Sequence, residues 1–224
     1  MNSKQSSPLV VGTLHSPFCL KKVEQNFKKL AQGEGIDFLE ARLDLLPIEK
    51  LPTHWPLPVI ATARHPKEGG ENNLSLRERR QLLEHSLSWC RAIDVELRSA
   101  KQLASTIACA HAEGKFVIGS FHDFKTVPSD PRLRELVVRA REANVDILKV
   151  AVTINDEAAF LRLVEFQQLE KSFPLATMGM GEKFGKISRL ILPAFGSTLA
   201  YGWLAKPQVV GQWSVEQLAL LFSE

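Results

Sequence analysis

The chain has 224 residues, of which 45% are hydrophobic and 24% charged, and its formal net charge is +3. That composition belongs to a globular protein with a sizeable core and excludes a low-complexity or strongly polyelectrolyte chain. So weak a basic excess gives no ground for a nucleic-acid partner, and no apolar run is long enough to span a bilayer.

The opening residues, MNSKQSSP, are polar and lack the apolar centre of a secretion signal. Cys19, Cys90 and Cys109 have neither metal-site nor disulfide spacing, so a reducing cytoplasm is the expected setting. The apolar runs that read as strands are, in order, Pro8–Leu14, Asp37–Leu46, Pro58–His65 and Ile93–Arg98, then Lys115–Phe124, Asp146–Ile154, Pro174–Met180 and Thr198–Leu204. Helical patterns follow nearly all of them. In SLRERRQLLEHSLSWC, Leu76, Leu82, Leu83 and Leu87 mark the buried side, and Arg77 to Arg80 read as a solvated face. DPRLRELVVRAREA and NDEAAFLRLVEFQQLEKS are further helices. The exception is PIEKLPTHWP, whose prolines leave room for only a short helical turn.

Eight such units predict an α/β protein built as a single (β/α)8 TIM barrel over residues 1–224. A doubly wound sheet competes, but it normally needs fewer strands. No linker or low-complexity segment divides the chain.

In a barrel of this kind the functional residues sit at the C-terminal ends of the strands, and alternate residues point inward. One face of the second strand carries Glu40, Arg42 and Asp44, and one face of the fourth carries Asp94, Glu96 and Arg98. The third strand ends in Arg64, and the fifth carries Ser120 and His122. Lys149 lies in the apolar run VDILKVAVTI with no acidic partner beside it in the segment. Each has a plainer reading: Arg42 in a structural ion pair with Glu40 or Asp44, His122 as a capped loop histidine, Lys149 extending its amine to the barrel mouth. Taken together they converge on one site. A lysine desolvated and set near cations gives up its proton, attacks a carbonyl and forms a Schiff base. The iminium then acidifies the adjacent carbon, and a histidine such as His122 is suited to take that proton.

LEARLDLL, ATARHPKEGGE, IDVEL, GSFHDF, VDILKVAV, MGMGEKFGKISRL, FGSTLAYG and VVGQWSV resemble, in order and across essentially the whole chain, the motifs of the type I 3-dehydroquinate dehydratase family. The resemblance implies a cytoplasmic hydro-lyase of the shikimate pathway. Such an enzyme converts 3-dehydroquinate to 3-dehydroshikimate and water, as a (β/α)8 homodimer without metal or organic cofactor. It implies Lys149 as the Schiff-base residue at the substrate C3 ketone and His122 as the general acid and base for the C2 proton and C1 hydroxyl. Glu68 would orient His122. Glu40, Arg42 and Arg64 would contact substrate hydroxyls and ring, Arg189 would clamp the substrate carboxylate, and Gln208 and Gln212 would reach it from a closing loop. There are three departures from the pattern. The loop reads QVVGQ, with Gln208 for the usual serine and Val210 for the proline. The run GEKFGKISR holds one residue more than usual. Gly12 stands where many members have a small hydroxyl or thiol residue.

GMGEKFGKIS fits neither the dinucleotide nor the P-loop spacing, because Gly179, Gly181 and Gly185 are too widely spaced and Ile187 follows Gly-Lys. Met178 and Met180 read equally as substrate packing and as core. His15, His54, His65, His85 and His111 have no zinc spacing. The competing functions are a class I aldolase, which also uses a lysine on the sixth strand, and a barrel kept as a scaffold.

Overall fold

A computed structural model describes residues 7–32 and 35–222. The polar stretch 1–6, read above as carrying no secretion signal, lies outside the described residues. Strands and helices alternate. The first half comprises β1 (Leu9–Leu14), α1 (Pro17–Gln25), α2 (Phe27–Ala31), β2 (Phe38–Arg42), β3 (Val59–Thr62), α3 (Leu76–Ser86), β4 (Ala92–Glu96) and α4 (Ala104–Ala112). The second comprises β5 (Phe116–Asp123), α5 (Asp130–Glu142), β6 (Ile147–Thr153), α6 (Glu157–Leu169), β7 (Leu175–Met180), α7 (Lys183–Ala194), β8 (Leu199–Trp203) and α8 (Val215–Phe222).

Local chemistry sets these boundaries. Ser75 and Glu78 form a reciprocal capping box at the start of α3, and the Asp156 side chain accepts from Ala159 N at the start of α6. The prolines of PIEKLPTHWP leave one 3-10 turn, Ile48–Lys50, in place of a helix. The expected second strand, Asp37–Leu46, stops at Arg42, because Leu45 and Leu46 N–H turn back onto Arg42 O at 3.0 and 2.9 Å. Asp44 therefore lies in a turn beyond β2, although sequence alternation placed it on the strand face.

The strands pair in the order β7-β6-β5-β4-β3-β2-β1-β8, each pair parallel. Between β7 and β8 the ladder gives way to a side-chain bridge and a backbone bond. Thr177 N donates to Ser197 Oγ at 2.9 Å, and below it Thr198 N donates to Leu175 O at 2.8 Å. The result is the (β/α)8 barrel, closed by a seam. Apolar residues fill two spaces, an outer layer between strands and helices, with Leu39, Leu148 and Leu163 fully buried, and an inner plug that includes Val11, Ile60, Ile118 and Leu199. The inner plug leaves the upper bore to polar side chains.

One of these comes from α3. The basic run Arg77 to Arg80 is not uniformly a solvated face: Arg79 is buried, donating to Glu96 Oε2 at 2.8 Å and Ser99 Oγ at 3.0 Å. Helical periodicity puts Arg79 between Leu76 and Leu83 on the inner side, where a guanidinium survives only if paired. Arg79→Met leaves Glu96 buried without one of its cations, so it is expected to lower unfolding stability by ~3–5 kcal/mol in urea titration. Arg77→Met on the exposed face is expected to stay within ~0.5 kcal/mol.

Candidate active site

Lys149 stands near the middle of β6 and is 4% exposed. Its Nζ donates to Glu40 Oε1 at 3.3 Å and Asp94 Oδ2 at 3.1 Å, from strands β2 and β4 across the bore. Arg64 is the nearby cation that the sequence led one to expect, since it donates to the same Asp94 Oδ2 at 2.8 Å, but the direct partners of Lys149 are both carboxylates. They were invisible beside Lys149 in the chain because the barrel brings them from other strands.

Each carboxylate is held in turn. Glu40 Oε1 accepts from Thr62 Oγ1 at 3.0 Å. Asp94 takes both guanidinium nitrogens of Arg64, at 3.0 and 2.8 Å, and the Ser120 hydroxyl at 2.6 Å. Arg64 also donates to Glu96 Oε1 at 3.1 Å and Ser120 Oγ at 2.6 Å. Burial pushes the Asp94 carboxyl up, but Arg64 and Lys149 outweigh it and hold it well below the usual range. Burial likewise opposes the charge on Arg64, and Asp94 and Glu96 more than restore it. Arg64 lines the cavity, yet its donors are largely committed to strand carboxylates.

His122, near the end of β5, and Glu68 form a second unit. Glu68 Oε2 accepts from the His122 backbone N–H at 2.9 Å and faces His122 Nδ1 at 3.1 Å. An acceptor there assigns the proton to Nδ1 and leaves Nε2 as the basic nitrogen. Burial and the charges of Arg64 and Lys149 push the imidazole well below its ordinary value. Burial, reinforced by Glu96, pushes the Glu68 carboxyl up to about 7. Glu68 ends a 3-10 turn, Pro66–Glu68, that reverses at Gly69 with φ 82°, a left-handed conformation suited to glycine.

Arg189 is different. It sits on α7 behind the β7–β8 seam, with Nε donating to Gly179 O at 3.0 Å and Nη1 to Tyr201 O at 3.2 Å. No carboxylate pairs with it among the described residues, and burial alone pulls it down to about 10. The close approach of α7 depends on Gly185, where a Cβ would lie 2.4 Å from the Met180 carbonyl carbon. Arg189 lines the cavity.

Arg42 forms a two-pronged pair with Asp44 at 2.8 and 2.7 Å and donates to Gly69 O at 3.0 Å. The structural pairing weighed for Arg42 is therefore present, with Asp44 as the partner. Gln208 N donates to Gln212 Oε1 at 2.9 Å, so the loop after β8 is tied to itself. Gly12 faces outward against Leu204, and the adjacent Thr13 lines the cavity.

One cavity of about 530 Å³ at the C-terminal mouth gathers Lys149, His122, Glu68, Glu40, Arg42, Arg64, Arg189, Gln208 and Gln212, so all nine residues proposed from sequence share it. Met178 and Met180 line it as well. Two contacts were missed. The ring of Tyr201 lies under the Lys149 amine, 3.9 Å from Nζ to ring centroid. Alternation along TLAYGWL points Tyr201 inward, a signal applied only to charged residues. Arg98 reaches Glu68 Oε1 at 3.9 Å from beyond the end of β4. Together the site can hold a buried amine against anions, a neutral imidazole with one basic nitrogen, and an uncompensated guanidinium ready for an anionic ligand.

The family model for type I 3-dehydroquinase matches residues 18–223. A 3-dehydroquinate dehydratase of Methanothrix thermoacetophila is 34% identical over 197 residues, covering 84% of this chain and 81% of its own. The crystal structure of the 3-dehydroquinate dehydratase from Aquifex aeolicus superposes with a TM-score of 0.80 at 28% identity, over 95% of this chain and 96% of its own. A type I 3-dehydroquinate dehydratase from Clostridium difficile, solved with covalently modified comenic acid, has the same fold, with a TM-score of 0.81 at 24% identity over 97% of this chain and 92% of its own.

The raised carboxyl of Glu68 has a measurable sign. Its folded value of about 7 lies above the ordinary 4.5, so its contribution is fully present at low pH and is lost as pH rises toward 7. His122, lowered, works in the opposite direction: its contribution is present above its ordinary 6.5 and lost as pH falls. Glu68→Gln removes only the first effect. Its unfolding stability relative to the parent protein is therefore expected to improve by ~1–3 kcal/mol between about pH 5 and about pH 8. A difference that stays constant across that range would contradict the shifted carboxyl.

Proposed function

The chain belongs to the type I 3-dehydroquinase family, and from that premise we propose how its own residues remove water from 3-dehydroquinate to give 3-dehydroshikimate. The enzyme is a hydro-lyase, with residues 1–224 read as one catalytic barrel. The observation that carries this reading is the meeting, in one cavity, of a buried amine, an imidazole kept neutral and a guanidinium without a counter-ion.

Lys149 attacks the C3 ketone, and loss of the carbonyl oxygen as water leaves an iminium. The iminium draws electrons from C2, and His122 Nε2 removes the C2 proton. The resulting enamine expels the C1 hydroxyl, which leaves as water with the proton that His122 had taken. A second water hydrolyses the imine and frees Lys149. The two waters used and released at the imine cancel, so the net change is loss of one water from the substrate.

Glu68 keeps the imidazole in the tautomer whose Nε2 is basic. Arg189 takes the substrate carboxylate, which supplies the charge its burial lacks. Glu40 and Arg42 face the substrate hydroxyls from β2, Arg64 fixes the carboxylates around the amine, and Gln208 and Gln212 complete the wall from the loop. A homodimer acting in the cytoplasm on a free small molecule, without nucleic acid, belongs to the same reading, and sedimentation velocity tests the dimer. Among the described residues no helix is long and apolar enough to cross a membrane.

Borohydride reduction in the presence of substrate, read by intact mass, is expected to trap a covalent adduct that is absent from Lys149→Ala. Survival of the adduct in that variant would remove Lys149 from its role. His122→Ala is expected to trap the adduct while turning over at least ~10²-fold more slowly. Arg189→Met is expected to raise KM for substrate by roughly 10²-fold, the scale of a lost charge-assisted contact of ~3 kcal/mol. An unchanged KM would exclude it as the carboxylate anchor.

A further inference from the structure

We propose that Tyr201 is a catalytic residue whose aromatic face stabilises the positive charge on the Lys149 nitrogen through imine formation. The inference rests on the Schiff-base reading and adds to it a residue that none of the motif assignments includes. The Nζ atom lies 3.9 Å from the Tyr201 ring centroid, within the range of a cation over an aromatic face. Tyr201 is buried, and its hydroxyl has no hydrogen-bond partner among the described residues. Its contact with the amine is therefore made by the ring alone. The ring belongs to the inner plug, the same buried cluster that includes Met178 and Leu199.

Counting hydrogens shows why the ring matters more as the reaction proceeds. A protonated amine has three N–H groups, and two are directed at Glu40 and Asp94. Condensation with a ketone forms the Nζ–C double bond. The carbonyl oxygen leaves as water with two of those hydrogens, so the iminium nitrogen keeps one N–H and the same positive charge. One of the two carboxylate hydrogen bonds must then be lost. The attraction to a ring face needs no N–H and persists. Of the three contacts made by Nζ, the ring is the one that condensation does not weaken by removing a donor.

The test weakens the ring's negative face while leaving its shape. Tyr201→Phe is made first, then 4-fluoro-, 3,5-difluoro- and 3,4,5-trifluorophenylalanine at the same position in the full chain. Each protein is titrated with 3-dehydroshikimate, whose ketone forms the same imine, and reduced with borohydride. The trapped fraction is read by intact mass. Tyr201→Phe is expected to trap within about threefold of the parent protein. At alkaline pH, where the neutral amine is the reactant and the positive charge on Nζ first appears in the iminium, the imine constant is expected to fall stepwise with fluorination, by about tenfold at the trifluoro ring, the order of a desolvated cation–π contact. In a Lys149→Ala background the same series is expected to bind the ligand non-covalently without a trend. A flat fluorination series overturns the inference, as does collapse of trapping in Tyr201→Phe, which would assign the role to the hydroxyl. An equal trend in the Lys149→Ala background would assign it to ring–ligand packing and also overturn it. Absence of any adduct in the parent protein would sink the Schiff-base reading itself, whereas a parent adduct with a flat series sinks only the role of the ring.

Discussion

A single amine held between two carboxylates organises the interior of this barrel. Lys149 on β6 cannot reach Glu40 on β2 and Asp94 on β4 unless the sheet closes, because in an open sheet those strands lie too far apart along the hydrogen-bonding direction. The pair does not stand alone. Asp94 is shared with Arg64, Arg64 with Glu96, and Glu96 with Arg79 of α3. Three cations and three carboxylates are thus linked from the centre of the bore to the helical layer. Buried charges of this kind contribute little net stability as pairs, but removing any one leaves its partner unpaired in a medium that does not solvate it. The network is therefore better understood as fixing position than as gluing the fold.

The opposite side of the barrel has the opposite electrostatics. Where β7 and β8 do not ladder, Arg189 puts its guanidinium against Gly179 O and Tyr201 O, carbonyls on the two sides of the seam. These carbonyls satisfy some of its donors but bring no negative charge, and burial is left to pull its proton affinity down. One half of the bore is neutral by internal pairing and the other carries an uncompensated cation. A ligand with one carboxylate and one ketone complements that asymmetry in a single orientation, with the anion at the seam and the carbonyl over Lys149.

Much of this was legible in the chain, and what was not has identifiable causes. Continuous β-branched runs mark strands buried on both faces, and β5 to β8 lie within one or two residues of their expected limits. β2 and β3 were drawn too long because the polar residues beyond them, Asp44 and Arg64 among them, continue the alternation after the ladder has stopped. The charged residues at strand ends pointed to the site, since few structures other than a barrel mouth bring so many together. Their pairings were not legible. Lys149 lies 109 residues from Glu40 and 55 from Asp94, and Glu68 lies 54 from His122, separations at which composition says nothing about contact. Arg79 was hidden inside a basic run, and Tyr201 carries no charge to draw notice although alternation places it correctly.

The two halves of the site also divide the chemistry. At the amine, a protonated lysine and the iminium that replaces it carry the same charge, so the carboxylates that balance the first also balance the second, with one hydrogen bond fewer. At the imidazole, burial holds both His122 and Glu68 toward their neutral forms, so a proton arriving from carbon creates a charge where none was stored. That charge appears as the enamine forms and the charge on Nζ is lost. The positive charge has moved from one strand of the bore to its neighbour, β6 to β5, within the field of the same carboxylate, since Asp94 acts electrostatically on His122 and bonds Lys149 directly. Proton transfer between carbon and histidine then costs less than the separate charging of either group, because the total charge in the closed bore is unchanged.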